Sequence, residues 1–328
     1  MRFNLAAHAD ADHPRVGKRD CLAGFRGARG NGLEGSAQVS HAFRNLYAAA
    51  LLLLAALPCG AQSLSAAAEH CGEVVTIETQ ERSTTRYSFA RPEGAAPQDR
   101  PIALVLLAGG AGHLDLDADG CARLLKGNSL VRSLPLFRAA GFFAALVDAP
   151  SDHRSEDGLA GFRIAELHAQ DLGKVVADVR ARAQGQVWLV GTSRGTISAV
   201  NAAARLSGPS APDGVVLTSA LMSGQSGARK AWVAQSVFDL RLEAIRVPVL
   251  VVGHAADLCV RSPPGLMQNI VARTSGTREQ VVTVTGGPAG RRVKSSVEAC
   301  EGRSPHGFLD QEAEVAAGIA RFVRGGAY

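Results

Sequence analysis

From about residue 73 onward, short apolar runs alternate with longer stretches of helical periodicity. Residues 74–79 and 86–90 read as two early strands that can pair as a hairpin. Ile102–Leu107 (IALVLL) is a continuous apolar run, as required of a strand covered on both faces. Residues 130–140 read as a helix, and 142–147 as the next buried strand. Over 163–183, Ile164, Leu167, Leu172, Val175, Val176 and Val179 form one apolar stripe and predict a long helix. The pattern continues with strand 187–190, helix 196–206, strands 215–218 and 247–252, helix 264–272, strand 280–285 and a closing helix over 308–323. Repeated strand–helix alternation predicts an α/β fold in which a mostly parallel sheet carries helices on both faces. No internal repeat and no linker divides residues 62–328, which read as a single domain.

Composition changes this picture only at the N-terminus. Hydrophobic residues make up 46% of the 328 and charged residues 20%, a globular balance. Of the formal net charge of +5, residues 1–61 carry +3. The basicity therefore belongs mostly to the leader, no Lys/Arg run with interleaved aromatics follows it, and a nucleic-acid partner is excluded. Within the leader, the run YAAALLLLAAL (47–57) follows Arg44 and precedes Pro58-Cys59-Gly60-Ala61. A short apolar stretch with a positive flank and small residues at its end describes a secretory signal peptide over 41–61. The run is too short for a stable membrane span of roughly 20 residues. Pro58 also argues against lipid attachment at Cys59. Residues 1–40, rich in Gly, Arg and Ala without periodicity, read as a disordered tail or an overextended start. The protein is expected to be exported, periplasmic or secreted.

Of six cysteines, four lie beyond the leader: Cys71, Cys121, Cys259 and Cys300. No CxxC pair or Cys/His cluster at metal spacing occurs, so no metal is expected. An even number in an oxidising compartment suggests two disulfides; free buried thiols remain an alternative for Cys71 and Cys121.

The sharpest chemical signal is Gly191-Thr192-Ser193-Arg194-Gly195, between the expected strand 187–190 and the expected helix from 196. A serine presented on a tight strand-to-helix turn needs small residues two before and two after it, and the glycines meet that need. A bare GxSxG is common by chance; its place between strand and helix is what makes it a nucleophile elbow. A serine hydroxyl needs a base, and the base needs an orienting acid. Downstream, the strand 247–252 runs into Gly253-His254-Ala255-Ala256-Asp257, which offers Asp257 as the acid. His306, in a loop between the last strand and the last helix, is the expected base, and His254 reads as a packing or loop histidine. Cys259 lies two residues past Asp257 and Cys300 six before His306. A Cys259–Cys300 bridge would therefore pin the acid loop to the base loop.

Negative charge developing on a substrate oxygen calls for amide donors. The N–H of Arg194, directly after the serine, is one. The loop Ala108-Gly109-Gly110-Ala111-Gly112 offers Gly110 or Ala111 as the second. The run Asp115-Leu116-Asp117-Ala118-Asp119-Gly120 imitates half a calcium loop, but its twelfth position is Lys126 where a bidentate glutamate is needed. It reads as a solvated loop near the site entrance. Asp148 ends the fourth strand at the same sheet edge, and Asp152, His153 and Arg154 beyond it read as loop-capping groups, with contact to substrate the alternative.

Five segments, LLAGGAGHLDL, NSLVRS, LVDAPSD, GTSRG and SPHGF, spread from about Leu104 to Phe308, resemble bacterial α/β-hydrolases. The resemblance implies an α/β-hydrolase fold, a triad of Ser193, Asp257 and His306, and an esterase-like activity on a small acyl substrate without a cofactor. Many such enzymes carry a lid after the sixth strand. Here 28 residues separate Thr218 from Val247, too few for a large cap domain. The expected function is hydrolysis of an ester or related acyl compound through an acyl-serine intermediate. A peptidase or acyltransferase of the same fold is the first rival, and an exported binding protein without turnover the second. The pattern of residues leaves the oligomeric state open.

Overall fold

The computed structural model describes residues 70–94, 100–288 and 294–328, all within one compact unit, Ala66–Tyr328. The expected tail over 1–40 and signal peptide over 41–61 lie outside the described residues. In chain order the elements are β1 (Glu73–Gln80), β2 (Ser83–Ala90), β3 (Ile102–Leu107), α1 (Ser129–Ala139), β4 (Phe143–Val147), α2 (Glu166–Ala183), β5 (Gln186–Thr192), α3 (Gly195–Arg205), β6 (Gly214–Thr218), β7 (Val249–His254), α4 (Gln268–Val271), β8 (Glu279–Val284) and α5 (Glu312–Val323).

The strands form one eight-stranded sheet in the order β1-β2-β4-β3-β5-β6-β7-β8. β1 and β2 pair antiparallel, as do β2 and β4, and every pairing from β4–β3 to β7–β8 is parallel. Alternation along each central strand feeds two separate cores. Val105, Leu107, Leu189, Leu217 and Val251 face α2 and α3, while Leu104, Leu106, Val190, Val216 and Val252 face α1 and α5. All ten are nearly or fully buried, each worth roughly 1.5–3 kcal/mol of apolar transfer. Burial on both faces is what made these strands read as continuous apolar runs.

Three helix boundaries differ from the pattern in the sequence. The helix expected from Arg163 begins at Glu166, because Ala165 is extended (φ −68°, ψ 147°) and Arg163 sits in a separate 3-10 turn, Ala160–Ile164. The helix expected over 264–272 is a 3-10 turn, Pro264–Leu266, followed by the single turn of α4. The closing helix begins at Glu312 because Phe308 (φ 53°) and Asp310 (φ 60°) turn the chain through left-handed conformations. Between β6 and β7 the chain forms only 3-10 turns, Ala231–Ala234, Val237–Asp239 and Leu242–Ala244, and no cap domain.

Candidate functional site

Parallel strands all deliver their C-terminal ends to one edge of a sheet, and the sequence-expected chemistry converges there. β5 ends at Thr192 and α3 starts at Gly195, so Ser193 occupies the connection. Its φ is +51°, a left-handed conformation that costs a non-glycine residue about 1–2 kcal/mol. The turn is held by the Ser193 N–H donating to Thr218 O (3.0 Å) and by the Thr196 hydroxyl donating to Ser193 O (2.6 Å). The flanking glycines are sterically required. A β-carbon on Gly195 would lie 2.0 Å from the Leu107 carbonyl oxygen, and one on Gly191 would lie 2.7 Å from that of Gly195.

Asp257 lies three residues beyond β7 and His306 in the 3-10 turn Pro305–Gly307. His306 Nδ1 and Asp257 Oδ2 are 2.8 Å apart, with the two residues 3% and 6% exposed. The other carboxylate oxygen, Oδ1, accepts the Cys259 N–H at 2.8 Å, so the acid is held on both oxygens. His306 Nε2 is buried with no hydrogen-bond partner among the described residues. Ser193 and His306 line one cleft of about 290 Å³, together with Gly109, Gly110, Asn128 and Cys300.

Disulfides join Cys259 to Cys300 and Cys71 to Cys121. The first bridges the Asp257 loop and the His306 loop, the juxtaposition expected from their spacing. Cys259 is also the third member of the one Asp/Cys/His group close enough to hold a metal among the described residues. Its sulfur is committed to the bridge and the Asp257–His306 pair to each other, so that donor set does not suit an ion.

Of the two amides expected in the glycine loop, Gly110 lines the cleft and Ala111 does not. The Ala111 carbonyl instead accepts the Leu159 N–H at 2.9 Å. Gly109 packs so closely that a β-carbon there would lie 2.9 Å from the Ser193 β-carbon. Neither the Gly110 nor the Arg194 N–H has an acceptor among the described residues.

The remaining polar groups settle into structural roles. Asp148 Oδ1 accepts the N–H of Leu114 (2.6 Å) and of Ala149 (2.8 Å), which fastens the glycine loop to the end of β4. Asp152 accepts the Ser83 hydroxyl (2.8 Å), and the His153 ring stacks on Phe162. In the acidic loop, Asp117 Oδ1 takes the N–H groups of Asp119 and Cys121, and Asp115 faces Arg123 at 3.8 Å. His254, the last residue of β7, bonds Gln311 through Nε2 at 2.9 Å, away from the Ser193 cleft.

Two arginines and a serine that the sequence did not single out support the site. Arg132 of α1 donates to the carbonyls of Gly302 (3.0 Å) and Gly307 (2.8 Å) and pairs with Glu312 at 2.6 Å, bracing the His306 turn. Its only signal in the sequence was its place in NSLVRS. The Ser219 hydroxyl donates to His306 O at 2.6 Å. Arg163 lies beneath the glycine loop.

No protein-family model matches the chain, and no curated protein matches it. Among solved structures it is similar to the proline iminopeptidase of Mycobacterium smegmatis (14% identity over 77% of this chain and 98% of that one, TM-score 0.54). It is also similar to esterase 2 of Thermogutta terrifontis in its apo form (15% identity, 79% and 97% covered, TM-score 0.50). The propionate-bound form of that esterase gives 17% identity, 77% and 94% coverage and TM-score 0.50. At such identities the likeness establishes the α/β-hydrolase fold, the architecture expected from the strand–helix pattern.

Proposed function

We propose that the protein is a serine hydrolase that cleaves an ester or related acyl compound through an acyl-serine intermediate. The fold alone does not carry this reading, because folds host many chemistries. One observation carries it: Ser193, held in a left-handed turn, shares a cleft with the unpartnered Nε2 of His306, whose Nδ1 is held by the buried carboxylate of Asp257. In this reading His306 removes the Ser193 proton as Oγ attacks the acyl carbon. The imidazolium, steadied by Asp257, returns the proton to the departing alcohol. Water then enters, loses a proton to His306 and releases the acid, restoring Ser193. The amides of Gly110 and Arg194 receive the developing oxyanion. The machinery needs no cofactor.

Two disulfides form and persist in oxidising compartments, which supports export of the mature chain. The test of function is labelling by a fluorophosphonate probe. Wild type should label, and Ser193→Ala and His306→Ala should not. A folded wild type that stays unlabelled would sink the hydrolase reading and leave a binding protein on the same fold. Added amine or alcohol acceptors that outcompete water would identify an acyltransferase.

A further inference from the structure

Arg163 is 1% exposed, and no carboxylate lies within ion-pairing distance of it among the described residues. Burying a charge without an opposite partner costs several kcal/mol, so its contacts must be accounted for. Nη2 donates to Ala108 O (3.1 Å) and Gly110 O (3.3 Å), both in the glycine loop. Nη1 donates to the hydroxyl of Ser198 at 2.8 Å. The turn that presents Arg163 is itself tied down: Asn201 Nδ2 donates to the carbonyls of Arg163 (3.0 Å) and Ala165 (2.7 Å). Ser198 and Asn201 belong to α3, the helix that Ser193 introduces. The guanidinium is therefore a strut between the nucleophile helix and the glycine loop.

The peptide geometry of that loop gives the strut a purpose. In a trans peptide the C=O and N–H point in opposite directions. The carbonyls of Ala108 and Gly110 are both held by Arg163, and the carbonyl between them, Gly109, accepts the Gly112 N–H at 3.1 Å. Three successive peptide planes are thus fixed. The middle plane carries the Gly110 N–H, which has no acceptor within the described residues and lies on the cleft beside Ser193. Room for the strut is kept by Gly112, where a β-carbon would lie 2.6 Å from Nη2.

We propose that Arg163 is the positioning residue of the oxyanion hole, locking the peptide planes around the Gly110 amide to the helix that carries Ser193. Its unpaired charge, in a poorly solvated interior, also favours negative charge on the substrate oxygen in front of that amide. This rests on the hydrolase reading above. Its specific content is that Arg163 acts on the transition state, without touching substrate.

The test uses the full, oxidised chain with Arg163→Met and Arg163→Lys, assayed on p-nitrophenyl butyrate and against a trifluoromethyl ketone, whose serine adduct carries an oxyanion. Both variants should lose roughly 10- to 100-fold in kcat with KM within about threefold, and ketone affinity should fall in parallel. The pH at half-maximal rate should stay where wild type has it, since the Asp257–His306 pair is untouched. The lysine variant keeps the charge but cannot bridge both carbonyls, and it decides the matter if the methionine variant does not fold. Unchanged kcat and ketone affinity in a folded variant, with wild type active, would overturn the positioning role alone. A wild type that neither hydrolyses ester nor reacts with fluorophosphonate would overturn the hydrolase reading and this role with it.

Discussion

Asp257 and His306 are joined twice, once by the 2.8 Å contact between Oδ2 and Nδ1 and once through the Cys259–Cys300 bridge between their loops. The carboxylate is both the orienting group of the imidazole and the acceptor of the N–H of a bridged cysteine. Anything that loosens one connection is felt at the other.

Asp257→Asn should leave the fold intact and lower kcat by roughly 10³- to 10⁴-fold, because an amide can hold the wrong imidazole tautomer. Steady-state kinetics beside a thermal melt checks this. A loss under tenfold would remove Asp257 from the triad.

Replacing Cys259 and Cys300 together by alanine should reduce both stability and turnover. The bridge closes a loop with a sequence separation of 41, for which chain entropy suggests about 4 kcal/mol. Replacing Cys71 and Cys121, whose bridge spans 50 residues and does not line the Ser193 cleft, should cost comparable stability with much less effect on kcat. Denaturant melts and ester hydrolysis on the two double variants separate the cases.

Gly195→Ala should abolish serine labelling and lower Tm sharply. Its β-carbon would sit 2.0 Å from the backbone oxygen of Leu107, which cannot move without shifting β3. Labelling at the wild-type rate would show that the elbow tolerates displacement.

Arg132→Met should free the Gly302 and Gly307 carbonyls and leave Glu312 unpaired, at roughly 2 kcal/mol of stability. Because the freed segment carries His306, kcat should fall more than KM rises. Equal, small changes in both would make Arg132 a surface contact only.

His168 gives a pH signature in stability. Desolvation, with the Arg163 charge beside it, pushes its pKa down from 6.5 to about 3. Between those values the unfolded chain binds a proton that the native chain refuses, so this group makes stability fall as pH drops through that window. The slope is at most about 1.4 kcal/mol per pH unit. His168→Gln should flatten urea-unfolding stability between pH 6.5 and 5. A slope equal to wild type would place the acid sensitivity elsewhere.

The chain by itself determined the parts of this protein that depend on local periodicity and chain order. The fully buried strands β3 and β5 read as apolar runs because both faces are covered. Gly191 and Gly195 stood out because the backbone conformation at Ser193 leaves no room for a β-carbon on either side. The Asp257 and His306 assignments came from order along the chain, which a parallel sheet converts into proximity at one edge. Helix starts were less legible. Arg163 stood at the start of a stretch of helical spacing, yet extended Ala165 puts it in a separate turn before the helix, where its guanidinium is buried. Only tertiary structure decided which groups Arg163 and Arg132 hold, since their partners include backbone carbonyls far away in sequence, and a carbonyl leaves no trace in residue identity. It also separated Gly110 from Ala111, because the direction of an amide depends on what holds its neighbouring peptide planes, and here that holder is a side chain more than fifty residues downstream.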